Sequence, residues 1–210
     1  MKKIIIYINK IFIILKMKEF CVLIDNGHGY DTPGKCSPDY FKRRIYEWEY
    51  TRNVAKALSD MLTQNGIRNI LITPETNDIT LSERAKRVNE YCKTYSCIMI
   101  SIHCNASQID NKGTGFEVWT TKKRNNSDKL AEMFVETFKE IMPQQSCRGH
   151  RECNWTILWK SNCPCVLTEN FFMNNFKDVD FLLSDEGFNN IVMMHYQTIE
   201  KYINRNGIKI

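Results

Sequence analysis

A chain of 210 residues, 43% hydrophobic and 25% charged, can bury one core without staples. Its ordinary composition excludes collagen-like, low-complexity and repeat architectures. The formal charge of +5 is no nucleic-acid signature: Lys2, Lys3, Lys10 and Lys16 lie in an acid-free leading segment, and setting those four aside leaves +1. Residues 1–16 are isoleucine-rich but broken by Asn9 and Lys10, too short for a stable membrane span and followed by no small-residue cleavage site. Met17 offers a second start directly before the first strand. The expected organisation is an N-terminal extension over 1–16 and one domain over 17–210.

In chain order, Phe20-Cys-Val-Leu-Ile-Asp25 is a short apolar run closed by Asn26-Gly27, which predicts a buried strand. His28 follows between Gly27 and Gly29, residues that let the backbone turn sharply and approach whatever the imidazole holds. A polar loop containing Pro33, Gly34 and Pro38 leads to a helix expected to open at Glu49, with Val54, Ala57, Leu58, Met61 and Leu62 at helical spacing and Gly66 as its stop. Ile67–Thr73 is the second predicted strand. Thr80-Leu-Ser-Glu83 has the form of a capping box opening a second helix. Cys97–His103 is a third strand, again with a histidine at its carboxyl end, and Phe116–Thr120 a fourth. Leu130, Phe134, Phe138 and Ile141 mark a helix before Pro143, residues 155–159 and 165–169 complete the strands, and the last helix spans about 186–203. Strands alternating with helices predict an α/β fold, one mostly parallel sheet covered on both faces.

Strand ends of a parallel sheet lie side by side, and ligands of such sheets collect there. His28, His103 and Glu169 all end predicted strands, and the loop over 30–48 is long enough to carry Glu49 back over the same edge. Two histidines and a carboxylate form the ligand set of a catalytic zinc, which keeps a further position open for water. A second carboxylate can take the proton of that water and hand it to a leaving amine; Glu169 is the candidate. A glutamate at a helix start also suits the macrodipole, and a strand-end histidine can be satisfied structurally, so these residue types leave both readings open. His195, on the apolar face of the last helix, is expected to pack. Trp119, Trp155 and Trp159 are expected mainly in the core, with a glycan platform as the alternative. The nine cysteines fit no usual zinc spacing; reduced thiols are expected, with disulfides as the alternative for an exported protein.

Together these segments resemble the zinc-dependent N-acetylmuramoyl-L-alanine amidases of the type 3 amidase family, over about 18–204. Val22-Leu-Ile-Asp-Asn-Gly-His28-Gly resembles the family's opening strand and first ligand, and Glu49-Tyr-Thr-Arg-Asn53 its Glu-x-x-x-Asn helix start, which selects Glu49 over Glu47. Leu81-Ser-Glu-Arg84 with Asn89, Ser101-Ile-His103-Cys-Asn105-Ala with Gly115-Phe-Glu-Val, and Val166-Leu-Thr-Glu169 complete the likeness. Asn26, Cys104 and Phe171 depart from the family's usual proline, alanine and glycine, the last bearing on the turn after Glu169. The resemblance implies a mixed, about six-stranded sheet of the zinc amidase and exopeptidase type. It implies one zinc ion on His28, Glu49 and His103, with Glu169 catalytic. The implied reaction is hydrolysis of the amide between N-acetylmuramic acid and L-alanine in peptidoglycan. Asn105, Arg148 and His150 are the expected substrate contacts. A wall-binding module without catalysis and a zinc peptidase cutting another bond of the stem peptide are the alternatives. The expected place of action is the cell wall, for either a phage lysis enzyme released through a membrane lesion or a periplasmic host enzyme, and oligomeric state is left open.

Overall fold

The computed structural model describes residues 18–122 and 126–210; the extension expected over 1–16, and Met17, lie outside the described residues. The elements are β1 (Phe20–Asn26), α1 (Glu47–Gln64), β2 (Asn69–Leu71), α2 (Leu81–Thr94), β3 (Ser96–Asn105) and β4 (Phe116–Thr120), then α3 (Asn126–Ile141), β5 (Cys147–Glu152), α4 (Thr156–Trp159), β6 (Cys165–Phe172), α5 (Phe176–Leu182) and α6 (Asp185–Arg205). They build one six-stranded sheet in the order β2-β1-β3-β6-β4-β5. All pairings are parallel except β4 with β6, so the sheet is mixed and mostly parallel, as expected.

Alternating side chains divide the interior into two cores. Val22, Ile24, Ile98, Ile100, Ile102, Phe116, Val118 and Val166 face α1, α3 and α6, whose Leu58, Phe134, Phe138, Ile191 and Ile199 complete the larger core. Cys21, Leu23, Cys97, Met99, Cys165 and Leu167 face α2 and α4. Continuing along the second set toward the carboxyl ends of β1, β3 and β6, the same parity gives Asp25, Ser101, His103 and Glu169. The apolar face therefore turns polar at one edge of the sheet. No helix among the described residues is long and apolar enough to cross a membrane.

Three elements differ from expectation. Residues 155–159 are not a strand: Trp155 caps the short helix α4, with Leu158 and Trp159 amides bonding back to its carbonyl. A five-residue apolar run has no periodicity that separates helix from strand, and here Trp155 is held by stacking on Trp119 at 4.7 Å. The sixth strand is instead Cys-Arg-Gly-His-Arg-Glu, β5. It lies at the sheet edge and carries no apolar alternation to betray it. Residues 176–182, whose pattern predicts no element, form α5, capped by the Asn175 side chain on the amides of Lys177 and Asp178. The Thr80 side chain accepts from the Glu83 amide, as the capping pattern predicted.

Candidate metal centre and its surroundings

The site grows from the end of β1. His28 itself adopts the left-handed conformation, φ 61°, which costs a β-substituted residue free energy and persists only where surrounding contacts hold it. The flanking glycines serve close approach. A Cβ on Gly27 would stand 2.7 Å from His103 Nδ1, and one on Gly29 2.0 Å from the Asp78 amide nitrogen. Gly27 thus lets the β1 turn slide against the His103 ring, and the two imidazoles meet edge to face at 5.1 Å.

The carboxylate between them is Glu47, not Glu49. Glu47 Oε2 lies 3.3 Å from His28 Nε2 and Oε1 3.1 Å from His103 Nδ1. Oε1 also accepts from the Cys104 amide at 3.1 Å. Glu49 is exposed. The helix opens two residues earlier than expected, with the Glu47 amide bonded to the Lys35 carbonyl. Two residues turn a helix by about 200°, so Glu47 facing the histidines places Glu49 on the opposite side. The residue four beyond Glu47 is Thr51, buried and donating to the Gly27 carbonyl at 3.2 Å, whereas Asn53 is exposed. The helix-start pattern therefore belongs to Glu47 and Thr51, and matching the asparagine shifted the register by two.

His28, Glu47 and His103 offer ligand atoms within 4.8 Å of one another. Their chemistry fits a divalent cation: Glu47 is 1% exposed, and its Oε2 is buried with no hydrogen bond, an arrangement a cation at that point would complete. Burial pushes the His28 imidazole down to about 4, against the pull of Glu47 and with the help of His103. It is therefore neutral, the form that ligates. Burial, the largest single influence, opposes the charge of Glu47 as well, but the hydrogen bond and charge of His103, the charge of His28 and the Cys104 amide together hold the carboxyl below its usual range. Burial likewise opposes the charge of His103, and the bond to Glu47 with the negative charges of Glu47, Glu169 and Asp25 together hold it above its ordinary value.

The far side of His103 is fixed by a chain the sequence reading did not identify. His103 Nε2 lies 3.2 Å from Ser101 Oγ, which donates to Asp25 Oδ2 at 2.6 Å. Asp25 Oδ1 in turn accepts from Arg84 at 2.8 Å. Because the Ser101 hydroxyl donates to Asp25, it accepts from Nε2–H, so in the neutral imidazole, the form that ligates, Nδ1 is the bare nitrogen facing Glu47 and His28. Outer partners of this kind set the tautomer and aim of a metal-binding histidine. The available signal was an aspartate and a serine on the same parity as His103, inside strands otherwise apolar on that face.

Glu169 sits opposite His103 in the parallel register of β3 and β6. Its Oε2 is buried without a hydrogen bond. Burial, with the negative Glu47 and Glu117 opposing the favourable His103, pushes its carboxyl up to about 8. Phe171, two residues on, takes φ 65° without being glycine; its buried ring packs on Phe138 and Phe181 at 6.0 and 5.1 Å, and those contacts hold the turn.

Asn105 and Arg148 reach the same edge. Both bond Glu117, the antiparallel neighbour of Glu169: Asn105 Nδ2 to Oε1 at 2.6 Å and Arg148 Nε to Oε2 at 2.7 Å. His150 does not join them. It pairs with Val118, whose side chain lies in the larger core, and its Nε2 contacts Thr120 Oγ1 at 2.7 Å and Asp128 at 3.8 Å on the α3 side. Even spacing along a regular strand would put His150 on the face of Arg148, but the register irregularity opposite Phe116 and Glu117 falls at Arg148 and leaves His150 on the side of Val118. His195 is buried, with Nε2 3.0 Å from Thr168 Oγ1 and Nδ1 2.7 Å from the Ile191 carbonyl, the packing role expected. Trp119 and Trp155 stack in the second core while Trp159 is exposed.

A family model described as N-acetylmuramoyl-L-alanine amidase matches residues 22–201. The N-acetylmuramoyl-L-alanine amidase CwlM of Bacillus licheniformis is 26% identical over 87% of this chain and 68% of its own length. The endolysin of Bacillus phage SPP1 is 24% identical over 87% of this chain and 66% of its own. Among solved structures, the N-acetylmuramoyl-L-alanine amidase of Clostridium difficile 630 superposes with a TM-score of 0.78 at 25% identity, covering 89% of this chain and 98% of that one.

Proposed function

Since the chain belongs to the N-acetylmuramoyl-L-alanine amidase family, the activity it carries is cleavage of that amide in peptidoglycan, and we propose that His28, Glu47 and His103 hold one zinc ion while Glu169 is the general base and acid. The observation that carries this reading is the buried Glu47 carboxylate between two imidazoles, with an oxygen that makes no hydrogen bond. When bound, zinc supplies Lewis acidity and brings the pKa of a bound water toward about 7.

The chain's own residues divide the remaining work. Neutral His28 and His103 present lone pairs, and Glu47 supplies one negative charge against the cation. Asp25 and Ser101 keep the His103 ring in its ligating tautomer. Glu169, on the neighbouring strand, accepts a proton from the attacking water and returns it to the alanine nitrogen as that amine leaves. A carboxyl raised by burial to about 8 favours the protonated form that acts as that acid near neutral pH, and the charge of a cation beside it would favour the carboxylate needed for the first step. Asn105 and Arg148, at the rim, are the candidate substrate contacts; His150 faces the other side of the sheet.

Digestion of purified peptidoglycan, scored for new free alanine amino termini, tests the reading. Wild-type protein is expected to release them, EDTA to abolish release, and Glu169→Ala to keep the metal while losing at least about 100-fold in rate. Absence of new alanine termini from zinc-loaded wild type, or near-normal turnover by Glu169→Ala, would refute it.

A further inference from the structure

Glu117 is buried, its side chain 4% exposed, yet it carries a cluster of donors. Its Oε1 accepts from Asn105 Nδ2 at 2.6 Å and Trp119 Nε1 at 3.2 Å. Its Oε2 lies 2.7 Å from Arg148 Nε and 3.0 Å from Arg151 Nε. The two arginine side chains are 34% and 43% exposed. Both are engaged through Nε, and among the described residues neither makes a hydrogen bond through its terminal Nη atoms. Each plane is fixed a second time from the side, Arg148 over the Phe172 ring at 5.1 Å and Arg151 over Trp119 at 5.8 Å. One buried carboxylate thus holds two arginine forks in place, and the group retains one formal positive charge. Guanidinium forks held in this way match the two oxygens of a carboxylate, and the entropy cost of ordering the side chains is met in advance.

The clamp stands in line with the metal centre. His103 pairs with Glu169 across β3 and β6, Glu169 with Glu117 across β6 and β4, and Arg148 lies on β5 at the irregularity opposite Phe116 and Glu117. Adjacent strands are about 4.8 Å apart, so Glu117 lies roughly 10 Å from His103 along the sheet edge. An extended peptide advances about 3.3–3.6 Å per residue. A group meeting the forks therefore belongs to the second or third residue from the cleaved bond.

We propose that Arg148 and Arg151, positioned by Glu117, form a specificity site for a free carboxylate on the stem peptide, about two residues beyond the amide that is cut. The proposal rests on the amidase reading for the direction in which the peptide runs. Its test is equilibrium binding, which needs no turnover. Two synthetic tripeptides beginning with L-alanine, one with free carboxylates on its second and third residues and the other with carboxamides at both, are titrated calorimetrically into the zinc-loaded full chain. Wild type is expected to prefer the carboxylate by about tenfold, the scale of one charge-assisted contact. Arg148→Ala/Arg151→Ala is expected to bind the two alike. Arg148→Lys, which keeps the charge and loses the fork, is expected to fall between. Equal binding of both peptides by wild type, or a preference that survives the double substitution, would overturn the proposal. A carboxylate preference in a protein that releases no alanine termini from peptidoglycan would instead uphold the clamp and count against the amidase reading.

Discussion

Replacing Glu47 by glutamine separates the two carboxylates at the start of α1 more sharply than truncation would. Glu47 Oε1 satisfies the buried Cys104 amide at 3.1 Å, and an alanine would leave that N–H without a partner, at a cost of about 1–3 kcal/mol. A glutamine carbonyl retains that bond, so the metal-free variant is expected to melt close to wild type. Its amide nitrogen would occupy the position of Oε2, 3.3 Å from His28 Nε2, presenting hydrogens where a cation needs a lone pair and removing the negative charge. Loss of an outer partner of a metal ligand costs about 10–100-fold in affinity. Loss of the ligand is expected to reach at least about 100-fold, which is about 2.7 kcal/mol. Competition against a chromophoric zinc chelator measures this directly, with Glu49→Gln alongside. Glu49 is exposed, and its substitution is expected to change affinity by less than about twofold. Equal losses in the two variants, or wild-type affinity in Glu47→Gln, would refute the placement of Glu47 at the metal.

Two further expectations follow from buried charge. Arg84 and Asp25 pair at 2.8 Å with side chains 3% and 1% exposed; Arg84→Ala strands the Asp25 carboxylate and is expected to cost about 3–5 kcal/mol in urea unfolding, whereas a loss under about 1 kcal/mol would mean that Asp25 finds other compensation. His195 is pushed by burial down to about 4 from an ordinary 6.5. The unfolded chain therefore binds its proton first as pH falls, and the stability His195 contributes is complete above pH 6.5 and lost progressively toward pH 4. The slope is about 1.4 kcal/mol per pH unit, and His195→Gln is expected to remove that part of the acid sensitivity. Parallel stability–pH curves for the two proteins would refute the assignment.

Much of the site was legible because catalysis at a parallel sheet edge leaves marks in local sequence. His28, His103 and Glu169 each follow an apolar run near the carboxyl end of a strand, and a charged or ligating group at the end of such a run has few structural uses. Asp25 and Ser101 were equally visible as letters. Their role depended on a face shared by two strands separated by 76 positions, which no local pattern reports.

Sequence alone determined the alternation of strands and helices, the sheet covered on both faces, and three of the four residues proposed for metal and proton transfer. Periodic burial and turn chemistry are local, and the chain writes them directly. Tertiary structure decided which glutamate faces the histidines, because a loop of some twenty residues sets the rotation of α1 and two residues of register turn a ligand into a solvated side chain. It also decided which polar stretch becomes the sixth strand, since an edge strand is held by backbone pairing that asks nothing of its side chains. The arginine clamp belongs to the same class. Its residues lie far from the ligands in sequence, and only the mixed order of β3, β6, β4 and β5 lays them in one row.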